Sequence, residues 1–128
     1  MTKEQARNQA LAASGAMIVA FIGVVHVVVG ETIFPWAPAF VGGYVIWYAM
    51  GVACLAFGLA LLAATLGLVR LPVVWPCIVL AVGSLALTAL VEVIHREFHF
   101  FAVALAVAGA MTAWFYRKSA VGEPSDAP

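Results

Sequence analysis

Charged residues are scarce in this chain of 128 residues: Asp, Glu, Lys and Arg make up 9% of it, and the formal net charge is zero. An average soluble domain is about 25% charged. The sequence has no basic patch of the kind that binds nucleic acid, and no acidic or low-complexity tract. We therefore expect no nucleic-acid partner, and a chain whose surroundings are largely lipid.

The common catalytic signatures are missing as well. The sequence contains no Gly-rich phosphate loop, no Gly-x-Ser-x-Gly and no Cys-x-x-Cys. Ser14 and Ser84 have no base nearby in the sequence. Cys54 and Cys77 are expected at different depths in the membrane, which disfavours a disulfide. These absences favour a protein that is not an enzyme.

Apolar residues are abundant: they make up 66% of the chain, and the mean hydropathy is +1.10. They form four runs that are each long enough to cross a bilayer, because ~20 helical residues span the hydrocarbon core. Barrel strands would alternate in polarity, whereas these runs are apolar on every face. The sequence predicts an all-α fold, an integral membrane bundle of four transmembrane helices forming one domain over residues 1–118, with helices at about 10–30, 43–69, 72–94 and 98–117.

The basic residues are unevenly distributed around these helices. Arg96 lies on one side of the predicted membrane, and the other five lie on the opposite side: Lys3, Arg7, Arg70, Arg117 and Lys118. Lys and Arg accumulate on the cytoplasmic side of a membrane. We therefore expect a multi-pass protein of the bacterial inner membrane with both termini in the cytoplasm and the 31–43 loop outside. Residues 119–128 are polar and predict a disordered cytoplasmic tail.

Aromatic residues crowd the outer loop and the start of the second helix, and we expect them to form a belt at the headgroup level: Phe34, Trp36, Phe40, Tyr44, Trp47 and Tyr48. Small residues repeat at every fourth position in the second and fourth runs: Ala56, Ala60, Ala64 and Ala102, Ala106, Ala110. Such stripes let helices approach closely in lipid. They predict helix contacts within the bundle, or self-association or contact with another membrane subunit.

The remaining polar residues gather toward the outer leaflet. His26 lies inside the first run, while Glu97 opens the fourth run beside Arg96 at the turn. An ionisable group in hydrocarbon is costly and marks a candidate functional site. The sequence predicts a ligand-binding site built from His26, Glu31, Glu92, His95 and His99.

Other interpretations of this cluster stay open. Glu92 and His95 form one Glu-x-x-His, whereas di-metal bundles use two such motifs. A single zinc or iron held by His26, Glu92, His95 and His99, or a haem held by His26 and a second histidine, would also fit, and the sequence specifies no cofactor. Alternatively, water and headgroups solvate the helix tips, and His26 hydrogen-bonds a neighbouring helix, with Glu92 as the expected partner.

The outer end of the first run carries a His-x3-Gly-x3-Phe-Pro pattern, from His26 through Gly30 and Phe34 to Pro35. Together with four short helices, this pattern resembles small four-helix bacterial inner-membrane proteins of unknown function, in the DoxX-like neighbourhood. The resemblance implies a fold and a location but no chemistry. We expect an accessory subunit or a binder of a small apolar ligand or lipid. The alternative is a membrane redox protein or a metal- or haem-binding protein that uses the same histidines.

Overall fold

The structure is a computed structural model, and it describes residues 1–96 and 99–119. Over these residues the chain contains no strand and forms five helices: α1 (Lys3–Ile33), α2 (Ala37–Phe40), α3 (Tyr44–Thr65), α4 (Val74–His95) and α5 (Phe100–Lys118). All except the short α2 are long and apolar enough to cross a membrane. The all-α prediction is confirmed, and the four expected membrane-crossing segments correspond to α1, α3, α4 and α5.

The helix bounds differ from the predicted ones, most of all at the N-terminus. α1 begins at Lys3 rather than near residue 10, because Thr2 and Gln5 form a capping box. The Gln5 backbone N–H donates to the Thr2 hydroxyl at 3.1 Å, and the Thr2 N–H donates to the Gln5 side-chain oxygen at 2.9 Å. At the other end, Ser119 caps α5, and the rest of the predicted tail lies outside the described residues.

The turns between the long helices have simple local causes. Gly67 follows α3 with a φ of +77°, a conformation that glycine adopts without strain. α4 starts at Val74, and Pro76 lies in its first turn, where a helix needs no N–H donor. Arg96 ends α4 in the left-handed conformation, with its N–H donating to the Glu92 carbonyl at 2.9 Å.

Helix α1 lies between α3 and α5, and α4 packs along α5. Glycines bring α1 and α3 together, since a Cβ added at Gly58 would overlap the backbone of Ala20, and one added at Gly23 would meet the backbone of Leu55. The alanine stripes take part only partially. Ala64, Ala102 and Ala106 are buried, Ala60 is half-buried, and Ala56 and Ala110 are exposed.

Two apolar clusters hold the bundle together, one toward each end. The terminal end carries both termini and the α3–α4 turn, and its cluster joins all the long helices: Ala16, Leu61, Ala64, Val73, Cys77 and Ala113. The α2 end carries α2 and the α4–α5 turn, and its buried members come from α1, α2, α3 and α5: Ile22, Phe34, Ala37, Trp47 and Phe101. Among the described residues, α4 adds nothing to this second cluster and does not pack along α3.

Candidate functional site

A cavity of about 80 Å³ lies inside the bundle, in the half toward the α2 end. Its wall is mostly apolar and comes from α1, α3, α4 and α5: Ile22, Met50, Leu87, Phe101, Ala102 and Leu105. The other lining residues are His26, Trp47, Cys54 and His99. An apolar cleft with a few polar groups is the usual form of a small-molecule site. A water molecule needs roughly 10–15 Å³ of such space, so the cavity holds several waters or the head of a small amphiphile.

His26 is fixed in the cavity wall by Trp47, at the start of α3. The imidazole and indole rings stack with their centroids 3.7 Å apart, and His26 Nε2 lies 2.8 Å from the Trp47 backbone oxygen. A carbonyl oxygen only accepts hydrogen bonds, so Nε2 carries the proton. Nδ1 of the neutral ring is therefore an acceptor. The expected contact with Glu92 does not form, because His26 bonds to α3 and α4 packs along α5.

The His-x3-Gly-x3-Phe pattern forms one face of α1, since residues four apart lie on the same side of a helix. His26 contacts Trp47, and at Gly30 an added Cβ would lie 2.8 Å from Trp47 Cζ2, so glycine leaves the space that the indole fills. Phe34 stacks on His99 with ring centroids 4.8 Å apart. The pattern thus builds one wall of the α2 end.

His99 lies just before α5 and serves as its N-cap. Its Nδ1 accepts a hydrogen bond from the Ala102 N–H at 3.2 Å, so Nε2 carries the proton of the neutral ring. The residue is only 7% exposed. Burial lowers the pKa of His99 below its ordinary value, and the nearby His26 ring lowers this pKa further. His99 is therefore neutral at pH 7 and presents an N–H donor.

The two histidines keep one free ring nitrogen each. Neither His26 Nδ1 nor His99 Nε2 has a hydrogen-bond partner among the described residues, and neither atom is completely buried. Both rings line the cavity. Trp47 Nε1 also has no partner in the described part of the chain, but unlike the two histidine nitrogens it is completely buried. The cavity thus combines an acceptor and a donor within an apolar wall.

The other predicted site residues lie elsewhere. His95 stacks on Trp36 with ring centroids 4.0 Å apart and meets Phe40 edge-on at 5.1 Å. Glu31 hydrogen-bonds the Tyr48 hydroxyl on α3, and Glu92 is exposed at the end of α4. The structure therefore brings two of the five predicted residues to the cavity, and Glu97 lies outside the described residues.

The histidines and carboxylates do not assemble a metal-binding group. Within residues 1–96 and 99–119, no three His, Cys, Asp or Glu side chains come close enough to hold one ion. His95 belongs to the aromatic contacts of α2, and the cavity that holds His26 and His99 is far smaller than a porphyrin. The described residues thus fit neither the four-residue metal site nor the haem.

The main residue that sequence reasoning misplaced is Trp47. It was expected in an aromatic belt at the headgroups, but it is 1% exposed and packs inside the bundle. The space that Gly30 leaves by having no side chain is the feature that admits the Trp47 indole there. The spacing of His26, Gly30 and Phe34 on one face of α1 was the available clue that this face receives a large side chain.

Comparisons with known proteins leave the function to be inferred from the site. No protein-family model, no curated protein and no solved structure matches the chain.

Proposed function

We propose that this protein is a small multi-pass membrane protein that binds a small apolar, lipid-like ligand in the cavity at its α2 end. The observation that carries the proposal is the interior cavity, which is lined mainly by apolar side chains and contains two histidines with free ring nitrogens. Ligand sites in membrane bundles lie between helices, where apolar walls receive the ligand and a few polar groups orient it. A purely structural role would explain the hydrogen bond from His26 Nε2 to α3. It would not explain why the His99 ring keeps a donor without a partner at the cavity.

The sparse contact between α3 and α4 supports access from the bilayer, and we call the route expected there the α3–α4 gap. The two helices meet through Leu61, Ala64, Val73 and Cys77 at the terminal end. Toward the α2 end they do not pack along each other, and α4 reaches the cavity through Leu87. A ligand dissolved in lipid would enter sideways through this gap, with its tail left among the acyl chains.

The rival proposals have less support. A metal or haem protein needs a ligand set that the described residues do not assemble. An accessory subunit that associates through the alanine stripes needs stripes that are exposed along their length. Of these alanines, Ala56 and Ala110 are exposed, but Ala64, Ala102 and Ala106 are buried. We keep contact with a partner subunit or a second copy through Ala56 or Ala110 as a secondary proposal.

We further propose a location in a bacterial inner membrane, with both termini in the cytoplasm. The support is the distribution of basic residues: the terminal end carries Lys3, Arg7, Arg70, Arg117 and Lys118, and the α2 end carries Arg96. In this orientation the cavity faces the outer leaflet.

Quenching of Trp47 fluorescence by 1-bromodecane would test ligand binding. The protein, in lipid nanodiscs, keeps Trp47 while its other tryptophans become phenylalanine: Trp36, Trp75 and Trp114. Bromine quenches indoles on contact, and Trp47 is 1% exposed, so quenching requires the probe to enter the cavity. We expect saturable quenching that Cys54→Phe abolishes by filling the cavity.

A second protein that keeps only Trp75 is the control for partitioning into the bilayer. Trp75 is 64% exposed and is not among the residues that line the cavity, so its quenching should rise with the bromodecane in the membrane and ignore Cys54→Phe. If Trp47 is not quenched, or is quenched equally in the Cys54→Phe variant, the proposal of ligand binding is wrong.

A further inference from the structure

The two cavity histidines offer opposite hydrogen-bonding atoms. His26 donates through Nε2 to the Trp47 carbonyl, so its Nδ1 accepts. His99 accepts through Nδ1 from Ala102, so its Nε2–H donates. Each tautomer is set by a backbone group, because the Trp47 carbonyl has no proton to give and the Ala102 N–H has no lone pair to offer. The donor and the acceptor are therefore fixed features of the neutral site.

The rest of the cavity constrains the charge of the ligand. Its other lining residues are apolar, apart from Trp47 and from Cys54, whose thiol already donates to the Val19 carbonyl at 3.3 Å. Glu31 and Glu92 lie elsewhere, so within residues 1–96 and 99–119 no carboxylate lines the cavity to pair with a cation. A buried charge without a counter-charge is costly. The headgroup that fits is neutral.

Building on the proposed function, we infer that the ligand is an amphiphile with a neutral hydroxyl headgroup, which accepts from His99 Nε2–H and donates to His26 Nδ1. A hydroxyl is the smallest neutral group that both donates and accepts. A carbonyl or an ether oxygen would satisfy His99 but leave His26 unpaired, and an alkane would satisfy neither. The class comprises long-chain alcohols, phenols and quinols. The headgroup occupies the cavity, and the tail leaves through the α3–α4 gap.

Competition between three matched probes would test this inference. Decane, decyl methyl ether and decan-1-ol have similar tails and differ in the head. Decane has neither a hydrogen-bond donor nor an acceptor, the ether has an acceptor alone, and the alcohol has both. Each would be titrated against bromodecane bound to the Trp47-only protein. We expect the alcohol to displace bromodecane at about tenfold lower membrane concentration than the ether, and the ether at about tenfold lower concentration than decane, since one hydrogen bond is worth about this factor.

Variants separate the two histidines. His26→Phe removes the acceptor and should make the affinity for the alcohol equal to that for the ether. His99→Phe removes the donor and should lower the affinity for the ether to that for decane. His95→Phe is the matched control, because His95 is not among the residues that line the cavity, and all three affinities should persist.

The outcomes distinguish the inference from the proposed function. If all three probes displace bromodecane equally, the cavity binds apolar molecules and the hydroxyl inference is wrong. If bromodecane itself fails to quench Trp47, the proposed function fails. If His95→Phe changes the ranking as much as His26→Phe does, the headgroup is recognised outside the cavity, and the inference is overturned. Melting temperatures of all variants would show that each is folded.

Discussion

The imidazole of His26 and the indole of Trp47 form a paired unit across the α1–α3 contact: their rings stack at 3.7 Å, and His26 Nε2 donates to the Trp47 backbone oxygen at 2.8 Å. The pair lies inside the bundle, about 10 Å along α1 from its end at Ile33. The pair serves both packing and the site, because the imidazole that closes the helix contact also lines the cavity.

Substitution of His26 should separate its structural and functional contributions. Interhelical hydrogen bonds in membranes are worth about 0.6 kcal/mol on average, so we expect His26→Leu to destabilise the bundle only slightly. We expect the same variant to lose its preference for decan-1-ol over decyl methyl ether. Thermal unfolding in detergent, together with the probe competition, would measure both effects. A loss of stability of several kcal/mol with unchanged probe selectivity would assign His26 to structure alone.

Gly30→Ala should displace the Trp47 indole. The added methyl group would lie 2.8 Å from Trp47 Cζ2, which forces the ring away from α1 and breaks the stack with His26. We expect a shift in the Trp47 emission maximum and a loss of bromodecane quenching, with a cost typical of overpacking, about 1–3 kcal/mol. An emission spectrum identical to that of the parent would show that the indole keeps its position, which would contradict the displacement predicted here.

The sequence was sufficient for the architecture because each long run satisfies the length that a bilayer requires. It also placed the polar residues near one end of the bundle. It could not show which of them face inward, because helices that are apolar on every side carry no polar face. Glu31 lies five residues, or about 140° around the axis, from His26 and reaches Tyr48 instead of the cavity.

The position of His95 illustrates the same limit. Buried side chains recur along α4 at Ser84, Thr88 and Val91, a spacing that continues to His95 and leaves Glu92 exposed beside it. The Glu-x-x-His spacing alone places both residues on one side of a helix. Only the packing of α4 against α5 decides which of the two turns inward, and this packing depends on contacts such as Gly109 with Cys77 that no local pattern reveals.

Gly58→Ala should destabilise the α1–α3 contact, whereas Gly83→Ala should not. A Cβ at Gly58 would overlap the Ala20 backbone, which cannot move without separating the helices, and we expect a loss of about 1–3 kcal/mol. A Cβ at Gly83 meets nothing within 4 Å, and alanine favours a helix by about 1 kcal/mol over glycine. Melting in detergent would compare the two variants. Equal melting temperatures would contradict close packing at Gly58.

Cysteine labelling in intact cells should establish the orientation. In a protein whose native cysteines are replaced by alanine, Ala39→Cys in α2 and Ala6→Cys near the N-terminus are both exposed positions. We expect a membrane-impermeant maleimide to label Ala39→Cys alone, because the basic residues of the terminal end favour the cytoplasm. Lysed cells provide the control, in which both positions react. Labelling of Ala6→Cys in intact cells would reverse the proposed orientation.

Acidification should destabilise the protein through His99. Burial lowers the pKa of His99 in the folded state, and the nearby His26 ring lowers it further, whereas the exposed residue of the unfolded chain keeps an ordinary value near ~6.5. The unfolded chain therefore takes up its proton first. The stability due to neutral His99 is present above about pH 6.5 and is lost as the pH falls toward the lowered folded pKa.

His99→Asn is the variant that isolates this effect. Asparagine does not titrate, and its side-chain oxygen is a good acceptor at a helix N-cap, so it replaces the bond from Ala102. Between about pH 8 and about pH 5.5, we expect the melting temperature of the parent to fall by several degrees more than that of His99→Asn. An equal fall in the parent and in His99→Asn would mean that other groups carry the acid sensitivity, and that a buried, neutral His99 does not contribute to the fold.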